Sequence, residues 1–339
     1  MFTFAIITYN QEKVVLETLE SIKYQIENFG LGIDIQLVIS DDGSIDNTVK
    51  VIKYWLSKND QLFKLININI SEENIGISGN YVKAINLIKG NNYKVIAGDD
   101  VFSLNNIFEI EKNLKNNDFW ITSVLFFNNY KVTFDKEKYR NLFLFFNVTY
   151  SKIRKLYEFT FPFCVQGVFH KIELLDKKTL SYIQKYKMLE DRPELYFITQ
   201  ENDNLNFSFS AKPYILYRES ENAITKSNTI SHNILYNDIK KLYKMSMKKE
   251  RNIFLKYIIW CSYVSFQNSK IYRIIKFINP FSYYKKFLKI KNRKKMNTWI
   301  EYIFEEEIEV NQKHIEYLKE KASELYREYI ADISGVNSV

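Results

Sequence analysis

The chain has 339 residues, 46% hydrophobic and 26% charged, with a formal net charge of +8. That length gives one large globular domain plus an appendage, since single cores stop growing near ~250–300 residues. Two cysteines, Cys164 and Cys261, and three histidines in no cluster exclude a disulfide framework and argue against a zinc site.

Phe2 to Ile7 enters a strand with neither basic flank nor cleavage site, and no apolar run reaches the ~18 residues of a membrane span. This predicts a cytosolic chain in a reducing compartment. After Thr8-Tyr9-Asn10 a helix carries Val15, Leu19, Ile22 and Ile26 at helical spacing. A second strand, Ile35 to Ile39, runs into Ser40-Asp41-Asp42-Gly43-Ser44. A helix with Thr48, Val51, Ile52 and Trp55 on one face follows, then a third strand over Leu65 to Ile70. The loop Asn74-Ile75-Gly76 leads to a helix carrying Ile77, Tyr81, Ala84, Ile85 and Ile88. The fourth strand, Tyr93-Lys94-Val95-Ile96-Ala97, ends in Gly98-Asp99-Asp100. Four alternations of strand and helix predict an α/β fold with a mostly parallel sheet and right-handed crossovers.

Ligands bind beyond the carboxyl ends of parallel strands, and three strands here end in polar signatures. Adjacent carboxylates at a strand end are costly unless something cationic sits there, so Asp99 and Asp100 suit Mg²⁺ or Mn²⁺, which commonly bridge one or two carboxylates to phosphates. The alternative is a solvated acidic turn. Neither Gly-x-Gly-x-x-Gly nor Gly-x4-Gly-Lys-Ser/Thr occurs, so neither a dinucleotide fold nor a P-loop is supported.

The succession Ile-Thr-Tyr-Asn, Ile-Ser-Asp-Asp-Gly-Ser, Asn-Ile-Gly-Ile-Ser-Gly-Asn and Ile-Ala-Gly-Asp-Asp resembles the nucleotide-binding half of family 2 glycosyltransferases with the GT-A fold. The resemblance covers roughly the first 100 residues. It implies a donor site formed by Thr8, Tyr9, Asn10, Asp41, Asp42, Asn74, Gly76, Asn80 and Asp99, with Thr8, Asp41 and Asp42 near base and ribose. Asp99 would lie near ribose or diphosphate, and Asp100 would hold the metal. Where many relatives carry an arginine before the asparagine of the third motif, this chain has Gly79 before Asn80.

A helix is expected over Leu104 to Leu114 and a strand over Phe119 to Phe127. The segment Tyr139 to Tyr157 matches no motif and reads as an acceptor-side insertion. Phe159 to Phe169, with Pro162 and Gly167, resembles the family's acceptor-side strand, where a glycine lets substrate approach the backbone. His170 at its end reads as structural. In Leu189-Glu190-Asp191-Arg192-Pro193-Glu194 the resemblance makes Asp191 the general base; as a residue pattern, Asp191 is equally a helix N-cap with Pro193 in the first turn. Tyr217-Arg218-Glu219-Ser220 resembles a Tyr-Arg-x-His segment, with Ser220 where a metal-ligating histidine would stand.

From Lys240 to Lys295 seventeen Lys or Arg face one acid, Glu250, so this segment carries +16 and the remainder −8. Basic residues interleave with aromatics, and Ile271, Ile274, Ile275 and Ile278 form one helical face opposite Arg273 and Lys276. Such a segment suits an anionic membrane surface; nucleic acid, or packing on the catalytic domain, are the alternatives. Beyond it, Ile315, Leu318, Ala322 and Leu325 mark a helix that packs on something, a second protomer included. The chain thus reads as a GT-A catalytic domain at 1–225, with nucleotide-sugar binding at 1–100 and the acceptor side at 101–225, followed by a helical region at 226–339. The resemblance implies an inverting, metal-dependent transfer from a nucleotide-diphosphate sugar, a UDP-sugar, to a hydroxyl of a lipid-linked bacterial surface glycan, at the inner face of the cell membrane. A sugar nucleotidyltransferase and a non-catalytic membrane-associated binding protein are the rival readings.

Overall fold

The structure is a computed structural model that describes residues 1–128, 131–135, 164–219, 230–267, 274–275, 277–291 and 293–334. Strands β1 (Phe2–Thr8), β2 (Ile35–Asp41), β3 (Leu65–Ile70) and β4 (Asn92–Ala97) form a wholly parallel sheet in the order β3-β2-β1-β4. Helices α1 (Val15–Phe29), α2 (Thr48–Asn59) and α3 (Ile77–Leu87) connect them. Alternation along the strands sorts the two faces. Phe4, Ile6, Leu37 and Ile39 pack with Leu19 and Ile22 of α1 and Trp55 of α2, whereas Ala5 and Val38 meet Ala84 of α3 on the other face. The predicted α/β alternation is present, and the parallel register aligns Thr8 with Asp41 at the carboxyl edge.

A second sheet holds β5 (Val101–Phe102), β6 (Phe119–Phe127), β7 (Val132–Thr133), β8 (Val168–His170) and β9 (Phe207–Arg218), in the order β5-β9-β6-β7 with β8 also on β6. β6 and β9 run parallel; the other pairs are antiparallel. The helix expected over Leu104 to Leu114 is confined to α4 (Glu109–Leu114). Its front half turns instead, because the Ser103 and Asn106 side chains accept from the Asn105 and Phe108 N–H groups and compete with helical bonding. The strand expected over Phe159 to Phe169 is likewise shorter. Residues 159–163, Pro162 among them, lie outside the described residues, as does 139–157, and Val165–Gly167 is a 3₁₀ turn leading into β8. A Cβ on Gly167 would sit 2.5 Å from the Thr122 carbonyl, so this glycine makes room for β6 rather than for a substrate. Helices α5 (Lys177–Ile183) and α6 (Asp191–Glu201) separate β8 from β9.

Helices α7 (Ile230–Lys249), α8 (Ile253–Gln267), α9 (Pro280–Lys291) and α10 (Arg293–Ile333) follow. The face predicted at Ile315, Leu318, Ala322 and Leu325 is present, and it is covered by this chain. Ile315 and Leu318 are buried with Phe119 and Leu125 of β6, while Ala322 and Leu325 join the cluster of α1 and α2. The isoleucine face expected around Ile274 does not form as drawn: Ile274 and Ile278 are exposed, Ile275 is buried, and Ile271, Arg273 and Lys276 lie outside the described residues.

His314 fixes α10 against the sheet edge. Its ring packs edge-on against Tyr24 and its Nε2 donates to the Phe102 carbonyl over 3.2 Å. Burial pushes its pKa from the ordinary 6.5 down to about 4. The unfolded chain therefore binds the extra proton first, and the contribution of neutral His314, complete above pH 6.5, is lost as pH falls toward 4. Compared with His314→Gln, the wild type should lose on the order of 3 kcal/mol more unfolding free energy across that interval. Parallel pH profiles for the two proteins would contradict this placement.

Candidate active site

The ends of β1 and β2 are laced together by side chains. Asp41, fully buried, accepts from the Thr8 hydroxyl at 2.8 Å, the Ser44 hydroxyl at 2.6 Å and the Ser44 N–H at 2.8 Å. Asn10 adopts a left-handed φ of 53°, held because its Oδ1 accepts from the Ile45 N–H and its own N–H donates to Ser44 Oγ. Tyr9 beside it is 43% exposed. Asp42 accepts from the Ile75 and Gly76 N–H groups, each at 2.9 Å, and so fixes the loop entering α3. Burial raises the Asp42 pKa against those two bonds. Asn80, buried on α3, bonds the Ser40 hydroxyl and carbonyl and closes the lace from below. Of the third-motif residues, Asn74 is exposed and Gly76 buried. Thr8, Asp41, Asp42 and Asn80 thus build the loops, and Tyr9, Asn10 and Asn74 present them to solvent.

Gly76 has a φ of +92°, and a Cβ there would lie 2.5 Å from the Lys187 carbonyl, which also accepts from the Ser78 N–H. The loop of the first half thereby touches the segment that delivers Glu190 and Asp191.

At the end of β4 the chain places Asp99, half-buried, and Asp100, 2% exposed. Arg218, at the end of β9, closes over both: its N–H donates to Asp100 Oδ1 at 2.8 Å and its Nε to the Asp99 carbonyl at 2.7 Å. Its remaining charge pairs with buried Glu17 of α1 at 2.6 Å, and its guanidinium lies over the Phe127 ring. Burial, then the neighbouring Asp99 charge, push the Asp100 pKa well above the carboxylate range; burial also raises Asp99 against the pull of Arg218. Beside this turn, the buried Gln11 Oε1 has no hydrogen-bond partner among the described residues, although it packs directly against Gly98. Two carboxylates whose charge is under-compensated and a spare oxygen acceptor fit an open, oxygen-ligated divalent site completed by phosphate and water. Among the described residues no group of three or more His, Cys, Asp or Glu forms a closed metal cage.

Asp100 opens into a cavity of about 120 Å³ that is also lined by Lys94, His170, Glu190, Asp191 and Glu194. Asp99 and the loop residues from Thr8 to Asn80 do not line it. The N-cap alternative for Asp191 is not realised: α6 begins at Asp191 itself, and its carboxylate accepts from the adjacent Arg192 N–H at 2.6 Å. Burial raises the pKa of Asp191 while Arg192 opposes the rise; burial and the Asp191 charge push Glu190 well above the usual range. Glu194 is occupied differently, accepting from Tyr81 of α3 and from His170 Nε2 at 2.9 Å. His170 is therefore structural, as its position suggested, yet it also lines the cavity. Lys94, its pKa lowered to about 8 by burial, donates to the Gln166 and Val168 carbonyls.

Arg218, Lys94, Gln11 and the Tyr81–Glu194–His170 chain were not assigned from sequence. A lysine inside the apolar run of β4 was a usable signal, because lysine is almost never buried without partners. Nothing local marks Gln11, and the Arg218–Glu17 pair joins residues 201 positions apart.

Gly32 supplies a control for Gly76, since it too has a positive φ, +76°, but its Cβ would meet nothing within 4 Å. Gly32→Ala should cost about 1–2 kcal/mol, the strain of a left-handed alanine. Gly76→Ala should cost more and should alone weaken nucleotide binding. Equal losses of stability would mean that the Lys187 approach relaxes freely.

The model of the family described as glycosyl transferase family 2 matches residues 3–172, half of the chain. Abequosyltransferase RfbV of Salmonella typhimurium is 32% identical over 103 residues, 30% of this chain and 29% of that protein. An uncharacterized glycosyltransferase of Mycoplasma genitalium, MG060, is 32% identical over 148 residues, 44% of this chain and 45% of that protein. The chain spans less than half the length of the curated relatives it matches. In fold it is similar to residues 1–349 of S. aureus TarS, solved in complex with UDP-GlcNAc, with a TM-score of 0.55 at 18% identity over 98% of this chain and 92% of that one. It is similar also to the mannosyltransferase PcManGT of Pyrobaculum calidifontis, in complex with GDP-Man and Mn²⁺, with a TM-score of 0.52 at 12% identity over 98% and 87%. The parallel sheet flanked by helices is accordingly the GT-A fold expected from the motifs, and the chain belongs to glycosyl transferase family 2.

Proposed function

We propose that this protein is an inverting, metal-dependent glycosyltransferase that moves a sugar from a nucleotide-diphosphate donor to a hydroxyl of a bacterial surface glycan. The observation that carries the reading is that Asp100 and Asp191, delivered by different elements, line one cavity together with Lys94. Structural relatives in complex with UDP-GlcNAc and with GDP-Man and Mn²⁺ support a nucleotide sugar as donor, and a UDP-sugar is the reading retained.

Donor base and ribose rest against the loops held by Thr8, Asp41 and Asp42, with Tyr9, Asn10, Asn74, Gly76 and Asn80 shaping the same edge. Asp100 would hold Mn²⁺ or Mg²⁺, with Asp99 near ribose or diphosphate, and the bound metal would offset charge developing on the departing diphosphate. Asp191 takes the proton of the acceptor hydroxyl as that oxygen attacks the anomeric carbon opposite the leaving group. Its Oδ1 is engaged by the Arg192 N–H, so Oδ2 receives the proton. Burial pushes both carboxyls up, but the Asp191 charge adds to the rise at Glu190 while Arg192 opposes it at Asp191, which favours Asp191 as the ionised member. Glu194 is tied to Tyr81 and His170 and does not compete. One base suffices because a diphosphate leaves without protonation, unlike the two-carboxylate arrangement of most glycoside hydrolases.

In this reading residues 1–225 are the catalytic unit and 226–339 the helical region, and the enzyme works on a lipid-linked acceptor at the inner face of the membrane. The sugar nucleotidyltransferase alternative lacks its glycine-rich basic loop, since Thr8-Tyr9-Asn10-Gln11 follows β1.

Asp191→Asn should lower transfer by on the order of 10² to 10⁴ with donor binding retained. Asp100→Asn should instead abolish the Mn²⁺-dependent thermal shift given by UDP-sugars, with little loss of melting temperature without ligand. Transfer at the wild-type rate by Asp191→Asn would refute the assignment of the base, and an unchanged metal-dependent shift in Asp100→Asn would refute the metal site.

A further inference from the structure

The basic segment 240–295 divides into two parts that do different things. On α7 three of the five lysines are engaged by this chain: Lys241 donates to the Lys185 carbonyl over 2.5 Å, Lys240 lies over the Tyr236 ring at 4.2 Å, and Lys249 over Phe197 at 5.7 Å. Ile239 and Leu242 of the same helix are buried with Tyr182 and Tyr186. α7 is a packing helix.

α8 and α9 are apolar on two sides. Inward, Ile258, Ile259 and Phe281 belong to the main core, and Ile275 between the helices is 4% exposed. Outward, Ile253, Tyr257 and Trp260 recur at i, i+4 and i+7 on α8, and Tyr283, Phe287 and Ile290 repeat that spacing on α9, all of them exposed. Phe254 of α8 is 56% exposed, and Phe277, before α9, 73%. The Tyr257 hydroxyl donates to the Ile278 carbonyl and the Tyr283 hydroxyl to the Phe277 carbonyl, so this outer face is held in place by its own bonds. α8, whose single charged residue is Lys256, is apolar nearly all round, a composition normally found inside a protein or in lipid.

Between Ile253 and Lys291 stand eight Lys or Arg and no acid. A second copy would bring two such basic segments together, and nucleic acid would leave the apolar side chains in water. We infer that the α8–α9 face is an in-plane membrane anchor that inserts its aromatic and aliphatic side chains among anionic lipid headgroups, with α7 taking no part. This deepens the peripheral attachment proposed above and rests on it for the direction the catalytic unit faces. The 15 residues of α8 extend about 22 Å, short of the ~30 Å hydrocarbon core, and no described helix is long and apolar enough to cross it. Aromatic side chains with polar tips, as at Tyr257, Trp260 and Tyr283, suit the headgroup level.

The test is sedimentation of the full chain with vesicles of phosphatidylglycerol or of phosphatidylcholine, with donor hydrolysis in vesicle-free buffer measured in parallel. The wild type should bind the anionic vesicles at least tenfold more tightly, and the triple variant Phe254→Ser, Phe277→Ser, Phe287→Ser should lose at least tenfold of that binding with its melting temperature retained. Lys240→Ala with Lys249→Ala should bind as wild type. If the triple variant does not fold, Phe277→Ser alone is read instead, with a loss of at least threefold expected. Wild-type binding by the phenylalanine variants overturns the inference. So does a dimer that forms without lipid and is dissolved by the triple variant, because a second copy is then the occupant. Hydrolysis that persists while vesicle binding fails sinks the anchor alone; vesicle binding without hydrolysis supports the anchor and sinks the catalytic reading.

Discussion

Two adjacent carboxylates buried at a strand end are the constraint on which the rest of this structure depends. Their charges repel, burial disfavours both, and an uncompensated buried charge is among the costliest features a fold can carry. The chain answers from far away in sequence. Arg218 arrives from the last strand and bonds the Asp99 carbonyl and the Asp100 carboxylate, while its excess charge is taken up by Glu17 of the first helix. Three segments therefore converge on one turn. The under-compensation that remains after Arg218 is what recommends the turn as a cation site.

The same logic separates Glu190, Asp191 and Glu194 at the start of α6. They sit within four positions and are chemically alike, but their surroundings assign them different states. Glu194 is held by a tyrosine and a histidine, Glu190 is pushed toward the neutral form, and Asp191 keeps a free oxygen with Arg192 beside it. Environment divides the labour where residue type cannot.

Much of the first hundred residues was legible because its signals are local. β3 and β6 appear over Leu65–Ile70 and Phe119–Phe127 as expected, β6 because a strand buried throughout is written as a nearly continuous apolar run, and β3 because isoleucine and asparagine alternate in it at the period of a strand. α4 was overextended because side-chain bonds from Ser103 and Asn106 favour a turn that periodicity does not register. Gly167 was read as an opening for substrate, yet the group it accommodates is the Thr122 carbonyl, a contact only the paired strands create. The motif residues gather at one sheet edge, but how they divide was not legible: Asp41 and Asn80 are internal ties, and Tyr9 and Asn74 face outward. The apolar stripe of α10 was seen and its partner was not, because a stripe says that something is covered without saying by what. That partner is the chain's own β6 together with its first two helices.

Lys94 has a further consequence. Among the described residues β4 is an outer strand of the first sheet, whereas β8 belongs to the second. The Lys94 ammonium, bonded to the Gln166 and Val168 carbonyls, is therefore a rivet between the two sheets. The lysine that brings positive charge to the cavity also joins the cavity's two walls, so a substitution chosen to relieve its burial would loosen that joint along with it.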